Sequence, residues 1–293
     1  MRAGITILPE HRRPELERRW RAAEAYGFHH AWTYDHLGWR SLVDGPWFGS
    51  VPTLTAAAMV TSRIEIGMLV ASPNFRLPAP FARDLIALDD LSRGRFTLGV
   101  GAGSRGDYDS HVMNWSPASQ HARFAEFVEV LDLLLREDRV SWSGDYYEVV
   151  EARNAPGCVQ RPRLPFLVAA NGPKAMALAA RFGEGWVTTG MRGAETMDAW
   201  WNAVAEAHRR FDDALDALGR PRDQVRRFLQ TDSAPVYSLS GVECYRDFVG
   251  RSAELGYTDL VAAWPRETGI YAGDESVLDA VAADVLPELR GAT

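Results

Sequence analysis

Residues 64–103, IEIGMLVASPNFRLPAPFARDLIALDDLSRGRFTLGVGAG, decide the fold. The apolar run at 64–72 predicts a buried β-strand, and residues 78–92 place apolar side chains at helical spacing. A second apolar run follows at 95–103. A strand, a helix and a strand in this order favour a βαβ unit, in which the two strands lie parallel.

The same alternation continues through the chain in both directions. Further strands are predicted at residues 3–9, 29–35, 165–172, 185–190, 226–234 and 257–265, and further helices at 14–27, 52–62, 122–138, 173–182, 195–218, 241–255 and 274–289. Eight strand–helix units in 293 residues predict one α/β domain, residues 1–293, folded as a single (β/α)8 TIM barrel. A doubly wound open sheet is the alternative, although that fold usually has fewer strands.

Two segments interrupt this rhythm. A long polar loop at residues 104–120 follows the fourth strand and is predicted to be an insertion without a helix start. Residues 140–150, VSWSGDYYEVV, are predicted to form a surface hairpin before the fifth strand. Neither segment is expected to contribute a strand to the barrel.

Composition limits the classes of function. The formal net charge is −7, which argues against nucleic acid as the main partner, because proteins that bind it usually present a basic face. The sequence has no run of 18 apolar residues, so no membrane span is predicted. The first residues lack a signal-peptide pattern and two cysteines make no disulfide framework, so we expect a cytoplasmic protein.

The second predicted strand ends in polar residues. The stretch AWTYDHLGW, residues 31–39, leads from an apolar strand into Asp35 and His36, with Trp39 close behind. In a TIM barrel the carboxyl ends of the strands form the active-site face. An imidazole at that face could exchange a proton near neutral pH, or could simply pack and hydrogen-bond locally.

Glycine-rich segments end two further strands. GAGSRG at residues 101–106 matches a dinucleotide-binding pattern only weakly, because no helix is predicted to open at its third glycine. Its glycines indicate either close approach of the backbone to a ligand or a turn. The segment AANG at 169–172 precedes Pro173, which suits a first helical turn. Free N–H groups there could bind a phosphate, or the segment could be an ordinary turn.

Other common catalytic patterns are missing from the sequence. The seven histidines show no metal-ligand spacing, so no metal site is predicted. No serine lies in a G-x-S-x-G motif, and the sequence has no P-loop. We therefore expect the chemistry at the ends of the barrel strands.

Three segments together resemble the bacterial luciferase-like monooxygenases, and most closely their branch that depends on the deazaflavin coenzyme F420. They are YDH at residues 34–36, the patterns S-P-N-F-R-x-P-A and L-D-x-L-S-x-G-R-x-x-L-G-x-G-x-G within 72–103, and PFLVAANGP with GEGWVTTG within 165–190. The resemblance covers nearly the whole chain and is tightest over residues 20–190. It implies a (β/α)8 barrel, which agrees with the strand count.

The resemblance also implies roles for individual residues. The expected coenzyme-binding set is Leu69, Val70, Ala71, Ser72, Gly101, Gly103, Ala169, Ala170, Asn171, Gly172, Thr188 and Thr189. Residues 69–70 would carry a non-prolyl cis peptide behind the deazaflavin ring, and residues 169–172 would help to hold the phosphate tail. Asp35 and His36 match the catalytic pair beside the ring, with Asp35 orienting His36. Trp39 matches an aromatic wall of the substrate pocket.

Some positions depart from the sugar-phosphate dehydrogenases of this branch. Ser104 stands where those enzymes have a glutamate, and Arg192 stands where they have a lysine. Both are expected near the substrate, with Arg192 on an anionic group of the substrate or on the coenzyme tail; the alternative is a solvated loop arginine. Asp107 or Asp109 could supply the missing carboxyl group as a proton donor. The substrate class is therefore left open.

The sequence thus predicts an F420-dependent oxidoreductase that transfers a hydride between the deazaflavin and a small organic substrate. One alternative is an FMN-dependent, two-component monooxygenase of the same fold, and another is a non-catalytic flavin-binding protein. The expected partners are the small-molecule substrate and an F420 or flavin reductase. Neither nucleic acid nor a membrane is expected as a partner. The family pattern implies a homodimer.

Overall fold

Parallel strands close into a barrel, as the alternating sequence pattern predicts. The computed structural model describes residues 1–104 and 106–290, and in that part of the chain eight strands pair in the closed order β1-β10-β9-β8-β7-β4-β3-β2. The ten strands are β1 Arg2–Thr6, β2 His30–Thr33, β3 Glu65–Ala71, β4 Phe96–Val100, β5 Arg139–Ser143, β6 Glu148–Arg153, β7 Phe166–Ala169, β8 Gly185–Thr188, β9 Arg226–Gln230 and β10 Asp259–Ala263. The predicted (β/α)8 fold is confirmed, and β5 and β6 form the predicted hairpin outside the barrel.

Helices connect successive barrel strands and cover the outside of the barrel. They are α1 Arg13–Tyr26, α2 Ser50–Val60, α3 Pro78–Leu91, α4 Tyr108–Val112, α5 Gln120–Arg136, α6 Pro173–Phe182, α7 Met197–Ala217, α8 Val242–Glu254, α9 Val277–Asp284 and α10 Leu286–Arg290. Within the described ranges, none of the helices has the length and apolar character needed to cross a bilayer.

Local signals account for where several helices begin and end. Helix α1, predicted over residues 14–27, ends before Gly27, which adopts the left-handed conformation with φ of 94° that is common for glycine after a helix. Helix α6 has the predicted bounds. The single helix predicted at 274–289 is wrong, because the chain forms α9 and α10 with a break at Val285. Pro287 explains the break, since proline has no N–H to donate and its ring clashes with the preceding helical turn.

The prediction that residues 104–120 contain no helix start is also wrong. Helix α4 begins at Tyr108, and the Asp107 side chain caps it by accepting a hydrogen bond from the Ser110 N–H. The helix has only five residues, which is too short for hydrophobic periodicity to reveal. It matters for the site because it carries Asp109.

Apolar side chains fill the inside of the barrel. A cluster of buried residues from different strands packs around its axis: Trp32, Leu69, Leu167, Val187, Phe228 and Val261. Such layers of side chains make a TIM barrel a solid core and leave its carboxyl-terminal face for ligands. A larger apolar cluster lies between the strands and the helices and includes the fully buried Trp20, Phe81 and Phe127.

Charged residues that begin the strands form a network at the opposite, amino-terminal end of the barrel. His30 is fully buried, and its Nδ1 accepts a hydrogen bond of 2.7 Å from the Trp32 indole N–H. The His30 ring is therefore neutral and carries its proton on Nε2, which donates to Asp259 Oδ1 at 3.0 Å. Arg226 pairs with both Asp259 and Glu65. The network ties β2, β3, β9 and β10 together.

This network predicts that the fold loses stability on acidification. Burial lowers the pKa of His30 from 6.5, and although burial alone would raise the pKa of Asp259, its hydrogen bond with His30 and the charge of Arg226 hold that pKa below 3.8. Both groups therefore bind protons more readily in the unfolded chain. The contribution of His30 to the free energy of unfolding is fully present above about pH 6.5 and is lost as the pH falls. At pH 5 the loss through His30 reaches up to about 2 kcal/mol.

Urea unfolding at pH 7, 6 and 5 checks this expectation. The His30→Gln variant should lose stability less steeply between pH 7 and pH 5 than the parent. Burial also lowers the pKa of His11 and His208, but both residues are present in both proteins, so the difference in slope isolates His30. Equal slopes for the two proteins would contradict the assigned tautomer.

Candidate active site

A cavity of about 400 Å³ opens at the carboxyl-terminal face of the barrel. Segments that follow six of the strands line it, so it lies where TIM barrels carry their active sites. Of the residues predicted from the sequence, the cavity wall contains His36, Trp39, Leu69, Val70, Ser72, Gly101, Gly103, Ser104, Ala169, Ala170, Asn171, Gly172, Thr189 and Arg192. The predicted residues Asp35, Ala71 and Thr188 are buried behind that wall.

His36 is held by a carboxylate from the insertion. Its Nδ1 lies 2.6 Å from Asp109 Oδ2, while Asp109 Oδ1 accepts a 2.7 Å hydrogen bond from the Leu37 backbone N–H. Asp109 is fully buried on α4, whereas the His36 side chain remains 17% exposed. Because Nδ1 donates to the carboxylate, Nε2 is the nitrogen that a ligand in the cavity can use. The geometry is that of an imidazole oriented by an acid.

The prediction that Asp35 orients His36 is wrong. Asp35 accepts hydrogen bonds from Arg76 Nη2 at 2.6 Å and Arg76 Nε at 3.1 Å, and a third from the Ser50 hydroxyl. Its side chain is 1% exposed. Successive side chains on extended backbone point to opposite sides, so neighbours at a strand end cannot share one site. Asp35 therefore ties β2 to the loop before α3.

The floor of the cavity is the irregular end of β3. The peptide bond Leu69–Val70 is cis, which confirms the prediction made for this bond. The pairing register between β3 and β4 shifts between Met68 and Ala71, so the strand bulges there. A Cβ atom at Gly101 would lie 2.8 Å from a Val70 methyl group, so only glycine lets β4 pass the bulge this closely. Leu69 and Val70 thus form an apolar part of the cavity wall.

The first turn of α6 forms another side of the cavity. Gly172 is its N-cap residue, and Pro173 follows in the first turn. Asn171 is fixed because its Oδ1 accepts a 2.6 Å hydrogen bond from the buried Thr188 hydroxyl. His121, at the start of α5, faces the same cavity. The free N–H groups of a helix start and a nearby imidazole are suited to an anionic group.

Neither carboxyl group suggested as a replacement at Ser104 is free in this structure. Asp107 accepts hydrogen bonds from the Asn74 side-chain amide and from the backbone N–H groups of Ser104 and Ser110. Asp109 holds His36. Both groups therefore have structural partners that a proton donor would have to leave.

Several residues of the cavity were missed by the sequence interpretation. Tyr34 packs against Trp39 with ring centroids 4.8 Å apart, and its hydroxyl accepts a 2.9 Å hydrogen bond from Gln230 Nε2. Arg40 donates to Asp232 Oδ2 at 3.2 Å and lies over the Trp39 ring. Burial raises the pKa of Asp232, against the opposing charges of Arg40 and Arg192. The position of Asp232 just after β9 could have suggested that it lies at the active-site face. No feature of the sequence suggested Arg40.

The fold and the site define a TIM-barrel protein whose cavity has a bulged, cis-peptide wall, a helix start suited to an anion and a histidine held by an aspartate. The sequence model of the luciferase-like monooxygenase family matches residues 1–231. The chain therefore belongs to the luciferase-like monooxygenase family.

Characterised relatives are similar over much of the chain. An F420-dependent glucose-6-phosphate dehydrogenase of Kineococcus radiotolerans is 32% identical over 226 residues, which cover 74% of this chain and 64% of that protein. A 5,10-methylenetetrahydromethanopterin reductase of Archaeoglobus fulgidus is 27% identical over 267 residues, 90% of this chain and 71% of that protein. The matched part spans about three fifths of the length of the dehydrogenases.

Solved structures share the fold. An F420-dependent secondary alcohol dehydrogenase in complex with an F420–acetone adduct superposes with a TM-score of 0.80 at 18% identity, covering 99% of both chains. The monooxygenase RslO1 of Streptomyces bottropensis superposes with a TM-score of 0.75 at 22% identity, covering 98% of this chain and 99% of that one. At these identities the likeness establishes the barrel architecture.

Proposed function

We propose that this protein is an F420-dependent oxidoreductase that transfers a hydride between the deazaflavin and a small organic substrate. The observation that carries the proposal is the position of His36, whose free Nε2 borders the same cavity as the bulged, cis-peptide wall at Leu69–Val70. The names of several relatives support the coenzyme, since the glucose-6-phosphate dehydrogenases and a hydroxymycolic acid dehydrogenase similar to this chain are named as F420-dependent.

The cavity residues fit a deazaflavin. Leu69, Val70 and Ala169 present an apolar surface on which a flat ring can lie. The start of α6 would hold the phosphate of the tail through backbone N–H groups, with Asn171 fixed by Thr188. When bound, the deazaflavin supplies or accepts the hydride, which is chemistry no side chain of the protein provides.

The protein's own residues would bind, orient and move a proton. Hydride transfer to a C=O or C=C bond leaves negative charge on the neighbouring atom, and His36 Nε2 would deliver one proton there; oxidation reverses both transfers. Asp109 would hold the ring in one tautomer and one orientation, with Nε2 towards the cavity. Trp39 and Tyr34 would cover the reacting atoms and limit the entry of water.

The main rival is an FMN-dependent monooxygenase with a separate flavin reductase. Deazaflavin lacks the ring nitrogen next to the carbon that activates oxygen, so it favours hydride transfer over oxygenation. We expect F420 to bind at least about tenfold more tightly than FMN, a difference of about 1.4 kcal/mol. Titration of the purified protein with each coenzyme, followed by fluorescence, measures both affinities. Equal or reversed affinities would reject the deazaflavin assignment, and tight binding without any turnover would favour a non-catalytic flavin-binding protein.

A matched pair of glycine variants shows whether the bound coenzyme occupies the cavity. Gly101→Ala places a methyl group 2.8 Å from Val70 and should push that side chain into the cavity, weakening F420 binding. Gly241→Ala meets nothing within 4 Å and lies outside the cavity wall, so it should bind F420 like the parent.

We also propose a cytoplasmic homodimer, on the family pattern, for which sedimentation analysis gives the subunit number.

A further inference from the structure

A second cavity, of about 620 Å³, lies next to the first. His36, Trp39, Arg40, Ser104 and Arg192 border both cavities and so form the boundary between them. The rest of the second cavity is formed by the loop after β2 and by the insertion that carries α4. If the deazaflavin lies on the bulged wall of the first cavity, the second cavity offers the substrate a place beside His36.

The boundary between the cavities carries two guanidinium groups, those of Arg40 and Arg192. Arg192 is exposed and makes no hydrogen bond or ion pair with any described residue, although its charge acts on Asp232. Arg40 is paired with Asp232, so two guanidinium groups face one carboxyl group. With Asp232 ionised these three side chains alone carry one net positive charge, and the carboxyl groups of Asp107 and Asp109 lie close by, so a monoanion is favoured over a dianion.

The walls of the second cavity favour a substrate whose anionic group is attached to an apolar ring or chain. Trp39, Val43 and Tyr108 contribute aromatic and aliphatic surface. The oxygens of Asp107, which also borders this space, already accept hydrogen bonds from the protein. His36, Ser104 and His111 are the other polar side chains of this cavity. The aromatic and aliphatic surface suits an apolar ring or chain, and the planar guanidinium fork suits a carboxylate.

We propose that Arg40 and Arg192 form a binding site for a carboxylate, and that the substrates are monocarboxylic acids with an apolar ring or chain. This deepens the proposed function, since it assigns a substrate class to the same site. Asp232 is the positioning residue: it holds the Arg40 guanidinium over the Trp39 ring, 4.3 Å from its centroid, and sets the preference for a single negative charge.

Calorimetric binding of matched probes to the protein, with and without F420, tests the proposal. The probes are benzoate against benzamide, cyclohexanecarboxylate against cyclohexanecarboxamide, and phenyl phosphate as the dianion. We expect at least one carboxylate to bind at least about tenfold more tightly than its amide. Arg40→Gln and Arg192→Gln should each reduce that preference severalfold. Arg210→Gln is the matched control, because Arg210 is exposed on α7 away from the cavities and should leave the preference unchanged.

Substitution of Asp232 gives an independent test of the proposal. Asp232→Asn removes the negative charge and should shift the preference from benzoate towards phenyl phosphate. Equal binding of each carboxylate and its amide, or no binding of any probe, would overturn the proposal, as would tighter binding of phenyl phosphate to the parent. If Arg192→Gln weakens F420 binding and spares benzoate, Arg192 contacts the coenzyme tail instead. Failure of the parent to bind F420 would reject the proposed function. Binding of the probes in the absence of F420 would still show whether the carboxylate site exists.

Discussion

Replacing His36 with alanine is expected to lower turnover by about a hundredfold while F420 affinity stays within a few-fold of the parent. A positioned acid or base typically contributes about 10²–10⁴-fold to a rate. Here the imidazole has one nitrogen fixed by Asp109 at 2.6 Å and the other free at the cavity. The rate would be measured with F420 and the best substrate from a panel of alcohols, ketones and activated alkenes, including carboxylates.

A second variant separates proton transfer from packing. Asp109→Asn keeps the size of the side chain but replaces the carboxylate, so it should lower turnover and change the pH profile of kcat/KM while the protein still binds F420. In the His36→Ala variant, the pH profile of kcat/KM should lack the ionisation that depends on the imidazole. Turnover of His36→Ala at the parent rate would mean that His36 only packs, and that the proton comes from Asp107, Asp109 or solvent.

Replacing Asp35 with alanine is expected to lower the free energy of unfolding by about 3–5 kcal/mol, the usual cost of removing one partner of a buried ion pair. The change would leave Arg76, whose side chain is 19% exposed, without its carboxylate. Turnover per folded molecule should fall by less than about tenfold, because Asp35 does not border the cavity. Urea unfolding and turnover of the same preparation measure the two effects.

The control for Asp35 is another aspartate. Asp90 is exposed near the end of α3, and Asp90→Ala should change stability by less than about 0.5 kcal/mol. If Asp35→Ala instead keeps the parental stability and loses turnover about a hundredfold, Asp35 would regain the catalytic role that the sequence interpretation gave it.

The sequence predicts the barrel because its signals are local. Strand and helix periods alternate through the chain, and residues such as Gly27 and Pro173 fix helix ends through their own backbone preferences. The cis peptide at Leu69–Val70 was also predicted, through the resemblance to a known family. The break at Val285 was missed, although Pro287 indicated it.

The partners of His36 could not be predicted from the sequence in the same way. Asp109 is 73 residues from His36, and only the folding of the insertion brings the two together. The pair Arg40 and Asp232 is separated by 192 residues and joins loops that follow different strands. Contacts of this kind depend on the closure of the barrel, which places distant strand ends on one face. Adjacency in sequence suggested Asp35 as the partner of His36, but the Asp35 side chain points away from His36 and pairs with Arg76.

A crystal structure of the protein with bound F420 tests the central claim most directly. The account predicts the deazaflavin ring against the Leu69–Val70 peptide, with its redox carbon facing His36 Nε2 and a gap between them just large enough for a substrate. It also predicts the phosphate of the tail at the start of α6. A ring bound elsewhere, or a His36 imidazole that points away from the redox carbon, would contradict the account.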